Sequence, residues 1–324
     1  MVITGDGYSG GMKGSAPPAP VRLQEAVVII NPVARGLPAR PRLQEADEWL
    51  RQQGWQGQWL ETAGPGDATA LAARAAARGT PIVFVCGGDG TLNEAINGLA
   101  GTDTAVGVIP AGTVNLWARE MRLLKRPVEA VRLQLEGERR RVDLGRAGDR
   151  YFLLMAGYGV DAAIARHVSP KVKGRLGAAA YALAAARETM RYRSSRTELW
   201  VDGETKALEV FMVLAGNTQN YAGVTKITPE ALVDDGMLDI CVYEGRTRMD
   251  IVAHAARTLL RLHRGSSKVI YRRARHLQFV WHGRPLPVQL DGEPLEQSPD
   301  DVIVAPSSLW VAVPRGLKSP LFSA

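Results

Sequence analysis

The chain has 324 residues, of which 46% are hydrophobic and 23% charged, with a net charge of +7. That is enough apolar material for two domains or one large one, and it excludes a chain too polar to build a core. The basic balance favours an anionic partner, and charge alone does not separate nucleic acid, anionic membrane and nucleotide.

Residues 1–22 are rich in Gly, Ser and Pro and have no apolar h-region. They read as a disordered extension rather than a signal peptide and are set aside from the fold. "AVVIINP" (Ala26 to Pro32) is a continuous apolar run ended by Asn-Pro, the pattern of a strand buried on both faces of a parallel sheet. "RPRLQEADEWLRQQG" follows as an amphipathic helix closed by Gly54, and "GQWLET" as a second strand. "GDATALAARAAARG" reads as an alanine-rich helix with Asp67 as N-cap and Gly79 as stop. "PIVFVCGG" is a third strand. A helix starting near Thr91 or Leu92 and a fourth strand, "AVGVIPAG", complete a β-α-β-α series. That order predicts an α/β domain with a parallel sheet over residues 23–142.

The pattern changes near Arg139, and a domain boundary is expected around residues 138–145. "RRRVDLGRAGDRYFLLMAGYG" reads as two strands about a Gly-Asp turn, and one long helix is expected over roughly 176–193. Short strands with Asp-Gly or Gly turns then run to "SLWVAVP". They predict an antiparallel, β-sandwich-like second domain over residues 143–314, with 315–324 as a C-terminal tail. The two cysteines, Cys86 and Cys241, sit in apolar runs and read as buried free thiols. The longest apolar stretch of the central helix, "GAAAYALAAA", is about half of what a membrane span requires.

Three loops converge on the carboxyl edge of the parallel sheet, where α/β proteins bind ligands. "VCGGDGTLNEAINGL" (Val85 to Leu99) puts glycines at a strand end just before a helix. Bare backbone there lets phosphate oxygens reach N–H groups, and Asp89 adds a charge that a magnesium ion would want. The same stretch is equally a tight βα turn capped by Asp89 or Thr91. "IPAGTVNLWARE" and "NPVARG" are the other two loops. Neither a Walker-type P-loop nor a spaced G-x-G-x-x-G is present.

"GGDGTLNEAINGL" resembles the diacylglycerol kinase catalytic-domain family, shared by bacterial lipid kinases, sphingosine kinases and ceramide kinases. The resemblance runs from Ala26 to Pro314. It includes "NPVARG", "PAGTVNLWARE", "MAGYGVDA", "KVKGRLGAAAYAL", "ITPEALVDDGMLDI" and "LDGEPL" in that order, and looks most like the soluble bacterial branch. It implies an ATP- and Mg²⁺-dependent lipid kinase with a nucleotide domain and a lipid domain. The nucleotide would meet Asn31, Pro32 and the loop to Arg35, then Thr62, then Gly87, Gly88, Asp89, Gly90, Thr91, Leu92 and Asn93, and finally Thr113. The catalytic Mg²⁺ would sit near Asp89. Glu293 would be the general base, with Asp291 beside it. A second, structural Mg²⁺ would be held by the Asp235 side chain and the carbonyls of Leu232 and Met237. Taken alone, "LDGE" and "DDGMLD" read as hairpin turns. Leu116 stands where many members carry Asp, and Arg35 where many carry a small residue.

The acceptor would be a membrane lipid such as diacylglycerol, a sphingoid base or a phosphatidylglycerol-like lipid. A cytoplasmic protein with peripheral contact to anionic membrane fits this reading. Arg246 to Arg275 holds nine Lys/Arg and one acidic residue, with Arg257, Arg261 and Arg264 expected on one helix face. A solvated basic face explains this segment equally well. The competing readings are a kinase of a soluble substrate such as NAD, and a basic protein without catalysis. The Gly-Ser-Thr-Ala-Tyr stretch of NAD kinases is missing, and no motif or aromatic interleaving supports nucleic acid binding. The oligomeric state stays open, a homodimer among the options.

Overall fold

Apolar runs become buried strands, and the side to which each residue points builds the layers. The computed structural model describes residues 24–167, 187, 189, 192–221, 223, 225–260 and 262–323. The expected N-terminal extension, nearly all of the long helix expected over 176–193, and Arg261 lie outside the described residues. The first half runs β1 (Gln24–Ile30), α1 (Arg40–Gln52), β2 (Trp55–Glu61), α2 (Asp67–Ala77), β3 (Ile82–Gly87), α3 (Asp89–Leu99), β4 (Ala105–Pro110), α4 (Leu116–Glu120) and α5 (Pro127–Leu135). Then follow β5 (Glu138–Ala147), β6 (Arg150–Phe152), β7 (Met155–Gly159), α6 (Val160–His167), β8 (Ser195–Val201), β9 (Glu204–Gly216), β10 (Asn220–Tyr221) and β11 (Thr225–Lys226). The chain closes with β12 (Leu238–Glu244), α7 (Arg248–Leu259), β13 (Val269–Ala274), β14 (His276–Trp281), β15 (Val288–Leu290), β16 (Glu293–Pro294) and β17 (Asp301–Val313).

Strands β2-β1-β3-β4 pair in parallel. Val27 and Ile29 pack with Ala68 and Ala72 of α2 and Ile96 of α3, whereas Ala26, Val28 and Ile30 pack with Leu50 of α1 and Val131 of α5. Side chains alternate across a strand, so one unbroken apolar run serves two helical layers at once. Loops therefore gather at the carboxyl edge of this sheet, where the glycines lie.

The second half is antiparallel. β7 and β12 both pair with β9, and β8 joins β9 to β14. The expected division into a parallel α/β part and an antiparallel β-sandwich-like part is observed. The two parts share one sheet, however. β17 pairs antiparallel with β5 and β14, and its far end, Trp310 and Val311, pairs in parallel with β4. Residues 138–145 fall inside β5, which pairs with β17 and β6.

Several local expectations shift. Helix α3 begins at Asp89, two or three residues before the expected start. Gly66, not Asp67, is the N-cap of α2; the Asp67 carboxylate instead accepts the Ala63 and Gly64 N–H groups at 2.7 and 3.1 Å. Beyond β17, Leu321 is buried in the core and its carbonyl accepts the Val233 N–H at 2.8 Å. Helix α7 ends at Leu259, and Arg264 lies beyond it in a short 3₁₀ turn. Arg264 pairs with Glu230 at 2.7 Å and stacks over Tyr271. The expected single face of Arg257, Arg261 and Arg264 is therefore not formed by one helix. Both cysteines are buried free thiols, each pushed up to about 12 by burial. Among the described residues no helix is long and apolar enough to cross a membrane.

Candidate active site

The ends of β1, β3 and β4 and the β15–β16 hairpin enclose a cleft of about 950 Å³. Backbone bonds fix its frame: the Asn31 N–H donates to the Cys86 carbonyl at 3.0 Å and the Gly36 N–H to the Ala111 carbonyl at 2.7 Å. The Asn31 side chain donates to Thr91 Oγ1 at 2.9 Å and accepts the Val33 N–H at 3.1 Å, tying the "NPVARG" loop to α3. A Cβ built on Gly112 would fall 2.6 Å from Gly88 Cα, so the two glycine loops touch backbone to backbone. Only glycine permits that approach, and it leaves peptide groups bare toward the cleft.

Of the residues expected to meet a nucleotide, Asn31, Pro32, Arg35, Thr62, Gly88, Gly90, Thr91 and Thr113 line this cleft. Gly87, Leu92 and Asn93 do not. Gly87 is buried against Thr91, and the Leu92 side chain sits in the apolar core while its N–H donates to the Gly88 carbonyl. The Asn93 amide turns inward to the Tyr151 carbonyl and Asp291 Oδ2, at 3.2 and 2.9 Å. The early start of α3 explains both, since residues 92 and 93 are its fourth and fifth residues and are buried. Sequence reasoning missed Asp149 and Arg150, which line the same cleft. They were read only as a Gly-Asp turn, and a cation just after such a turn was the available signal.

Asp89 is not among the residues lining the cleft and faces the second glycine loop. The backbone amides of Leu116, Trp117 and Asn115, at the start of α4, face its carboxylate and favour the charged form. Asp89 thereby clamps the "GGDG" turn to the second glycine loop. Burial raises its pKa to about 6; the three amides oppose the rise, and the charge of Asp291 adds to it. Leu116 contributes its backbone amide to this clamp, at the position where the family's aspartate would stand.

The "LDGE" segment is both a turn and a delivery device. Asp291 and Gly292 have φ of 51° and 93°, as an Asp-Gly hairpin turn requires. The turn sends the two carboxylates apart. Asp291 points inward and accepts from the N–H groups of Leu153, Leu154 and Met155 and from Asn93, each at 2.9 Å. Burial holds its pKa above the usual carboxylate range. All its hydrogen-bonding capacity is engaged, so it positions the hairpin and is no free base. Glu293 points outward, exposed on β16, and a Cβ built on Gly90 would lie 2.6 Å from its Oε1. Asp291→Ala should strand four donors and place alanine at positive φ. The expected loss is about 3 kcal/mol of stability, read by denaturant unfolding. A loss below about 1 kcal/mol would contradict the anchoring role.

At the expected structural Mg²⁺ site, which the resemblance builds from Asp235 and the carbonyls of Leu232 and Met237, the Asp235 carboxylate is engaged by groups of the chain itself. Asp235 accepts the Met237 N–H at 3.0 Å and is ion-paired with the Arg273 guanidinium. Nearby Asp143 accepts from Gly236 and Ser307, and Asp234 from Ser323. Among the described residues no three ligating side chains are grouped for a metal. Arg273, which also faces buried Asp239 at 3.8 Å, supplies the positive charge. We expect the melting temperature to ignore chelator. Arg273→Met should cost roughly 2 kcal/mol, because it leaves carboxylates unpaired. A chelator-dependent drop in the wild type would restore the metal.

The diacylglycerol kinase catalytic domain matches residues 25–147, and the YegS C-terminal NAD kinase beta sandwich-like domain matches residues 155–313. A Bacillus subtilis protein named "Diacylglycerol kinase" is 28% identical, over 90% of this chain and 97% of its own length. A "Probable lipid kinase YegS-like" of Chromohalobacter salexigens is 31% identical, over 85% of this chain and 90% of its own. A crystal structure of a diacylglycerol kinase from Bacillus anthracis superposes with a TM-score of 0.71 at 23% identity, covering 90% of this chain and 97% of that one, and shares the fold. With a glycine-lined cleft at the sheet edge and relatives aligned nearly end to end, the chain belongs to the diacylglycerol kinase catalytic-domain family, in its form that carries a YegS-type C-terminal domain.

Proposed function

We propose that this protein transfers the γ-phosphoryl group of ATP to a hydroxyl of a membrane lipid such as diacylglycerol, a sphingoid base or a phosphatidylglycerol-like lipid. The observation that carries the reading is the seating of the Glu293 carboxylate against Gly90, at the rim of a cleft whose walls are bare glycine backbone. Phosphoryl transfer asks a protein mainly for positioning and charge neutralisation. Backbone N–H groups of the three loops hold phosphate oxygens, and the Arg35 and Arg150 side chains bring positive charge to the same cleft. Glu293 takes the hydroxyl proton as the lipid oxygen attacks in line. A magnesium ion arriving with the nucleotide neutralises charge on the phosphates. The names of the relatives support the lipid acceptor. Access from the cytoplasmic membrane surface belongs to the same reading.

The test is incubation of purified protein with γ-labelled ATP and diacylglycerol, sphingosine, phosphatidylglycerol or NAD, followed by organic extraction. Label should move to an extracted lipid. Label appearing only on NAD in the aqueous phase would overturn the assignment.

A further inference from the structure

The hairpin that carries Glu293 has few bonds of its own. β15 and β16 pair over two residues, Gln289 opposite Pro294 and Leu290 opposite Glu293, and a proline has no N–H to donate. Asp291 secures the turn from one side. On the other side runs a second chain of side-chain bonds. The Gln289 amide is buried; its Oε1 accepts the Gly292 N–H, and its Nε2 donates to Asp161 Oδ2 at 2.7 Å. Asp161, the second residue of α6, is 9% exposed and receives the Tyr221 hydroxyl of β10 on its other oxygen, Oδ1. A Cβ built on Gly157 of β7 would collide with both Asp161 Oδ2 and Gln289 Nε2, so glycine leaves the room that this pair fills.

Two donors meet one buried carboxylate, and the amide between that carboxylate and the turn has both ends engaged, which fixes its orientation. Burial raises the Asp161 pKa, and the bonds from Tyr221 and Gln289 oppose the rise. None of these three side chains lines the glycine-walled cleft, so the network does not meet a nucleotide there. It ends instead on the turn, one residue before Glu293. We infer that Asp161 and Gln289 are positioning residues: they hold the Gly292 peptide, and through it the carboxylate of Glu293, in register with the cleft. This role rests on the reading of Glu293 as the base. An exposed carboxylate on a two-residue strand needs such a hold, because a displacement of about 1 Å at a reacting group costs about 100-fold in rate.

The experiment is steady-state kinetics with ATP and the lipid that accepts label. Gln289→Met keeps the length of the side chain and removes both of its bonds. It should lower kcat about 30-fold, with KM for ATP and for lipid within about threefold of the wild type. In a protein that already carries Glu293→Gln, the same substitution should lower kcat by less than about threefold, since no base is left to position. Gln289→Glu alone sets two carboxylates against each other and should also lose about 30-fold. Adding Asp161→Asn to it restores a donor opposite the new carboxylate and should return kcat to within about fivefold of the wild type. Melting temperatures and ATP binding establish which variants are folded. Should Gln289→Met fail to fold, the combined Gln289→Glu and Asp161→Asn variant, polar throughout, decides. An undiminished kcat in Gln289→Met, an equal loss with and without Glu293→Gln, or no recovery in the combined variant would overturn the positioning role while the kinase reading stands. So would a raised KM for lipid at unchanged kcat, which would make these residues contacts of the acceptor. A wild type that labels no lipid would overturn the kinase reading itself, and the positioning role with it.

Discussion

Glu293→Gln is expected to lower kcat by about 10³-fold while leaving the KM for ATP little changed. Glutamine keeps the shape and reach of the side chain but cannot take a proton. Glu293 is exposed on a two-residue strand and none of the core clusters contains it, so the fold should be untouched. Its position is set by its neighbour: Asp291 locks the hairpin through four hydrogen bonds, and Glu293 emerges two residues later over Gly90. The two carboxylates of one turn should therefore fail in different ways. Loss of Asp291 should appear in unfolding, and loss of Glu293 in turnover at an unchanged melting temperature. The assay is steady-state kinetics with saturating lipid. Retention of more than about a tenth of wild-type kcat would remove Glu293 from the proton transfer.

The parallel half of the fold was legible because its signal is redundant. "AVVII" and "IVFVC" are apolar at every position, and only a strand covered on both faces needs that. The glycine loops were legible as turns at strand ends, and it was the family resemblance that assigned them to a nucleotide. What the residues did not disclose is where a side chain turns once the helix begins. "GGDG" gives no sign that Asp89 already occupies the first helical position, and Leu92 and Asn93, which the resemblance assigns to the nucleotide, face inward. Arg273 was invisible as the partner of Asp235 because the pair is 38 residues apart and is made by strand pairing, with Asp239 opposite Arg273 in the β12–β13 register. The closure of the two halves into one sheet depends on β17 reaching β4, a contact across some 200 residues with no local signature.

Asp89→Asn should reduce kcat/KM for ATP by about 100-fold, and the wild-type pH profile should show why. The Asp89 carboxylate is favoured in its charged form by the backbone amides of Leu116, Trp117 and Asn115. That attraction draws the second glycine loop toward the first, where Gly112 meets Gly88. Asparagine offers one accepting oxygen and turns an NH₂ group toward donors. Losing the carboxylate's attraction for these amides loosens the loops that cradle phosphate. Burial has moved the group to about 6, so its titration falls in a range that an enzyme assay can reach. The sign follows from the ionised form being the competent one. As pH falls through about 6 the carboxylate takes up a proton, loses its hold on the amides, and activity falls; above that value it is constant. The asparagine variant has nothing to titrate there, and its residual activity should lack this acid limb. A metal ligand would behave otherwise, because its substitution should raise the magnesium requirement, whereas a clamp between loops should leave that requirement unchanged. Activity in the wild type that is flat between about pH 5 and 7, or an Asp89→Asn enzyme rescued by high magnesium, would refute the clamp and return Asp89 to the metal.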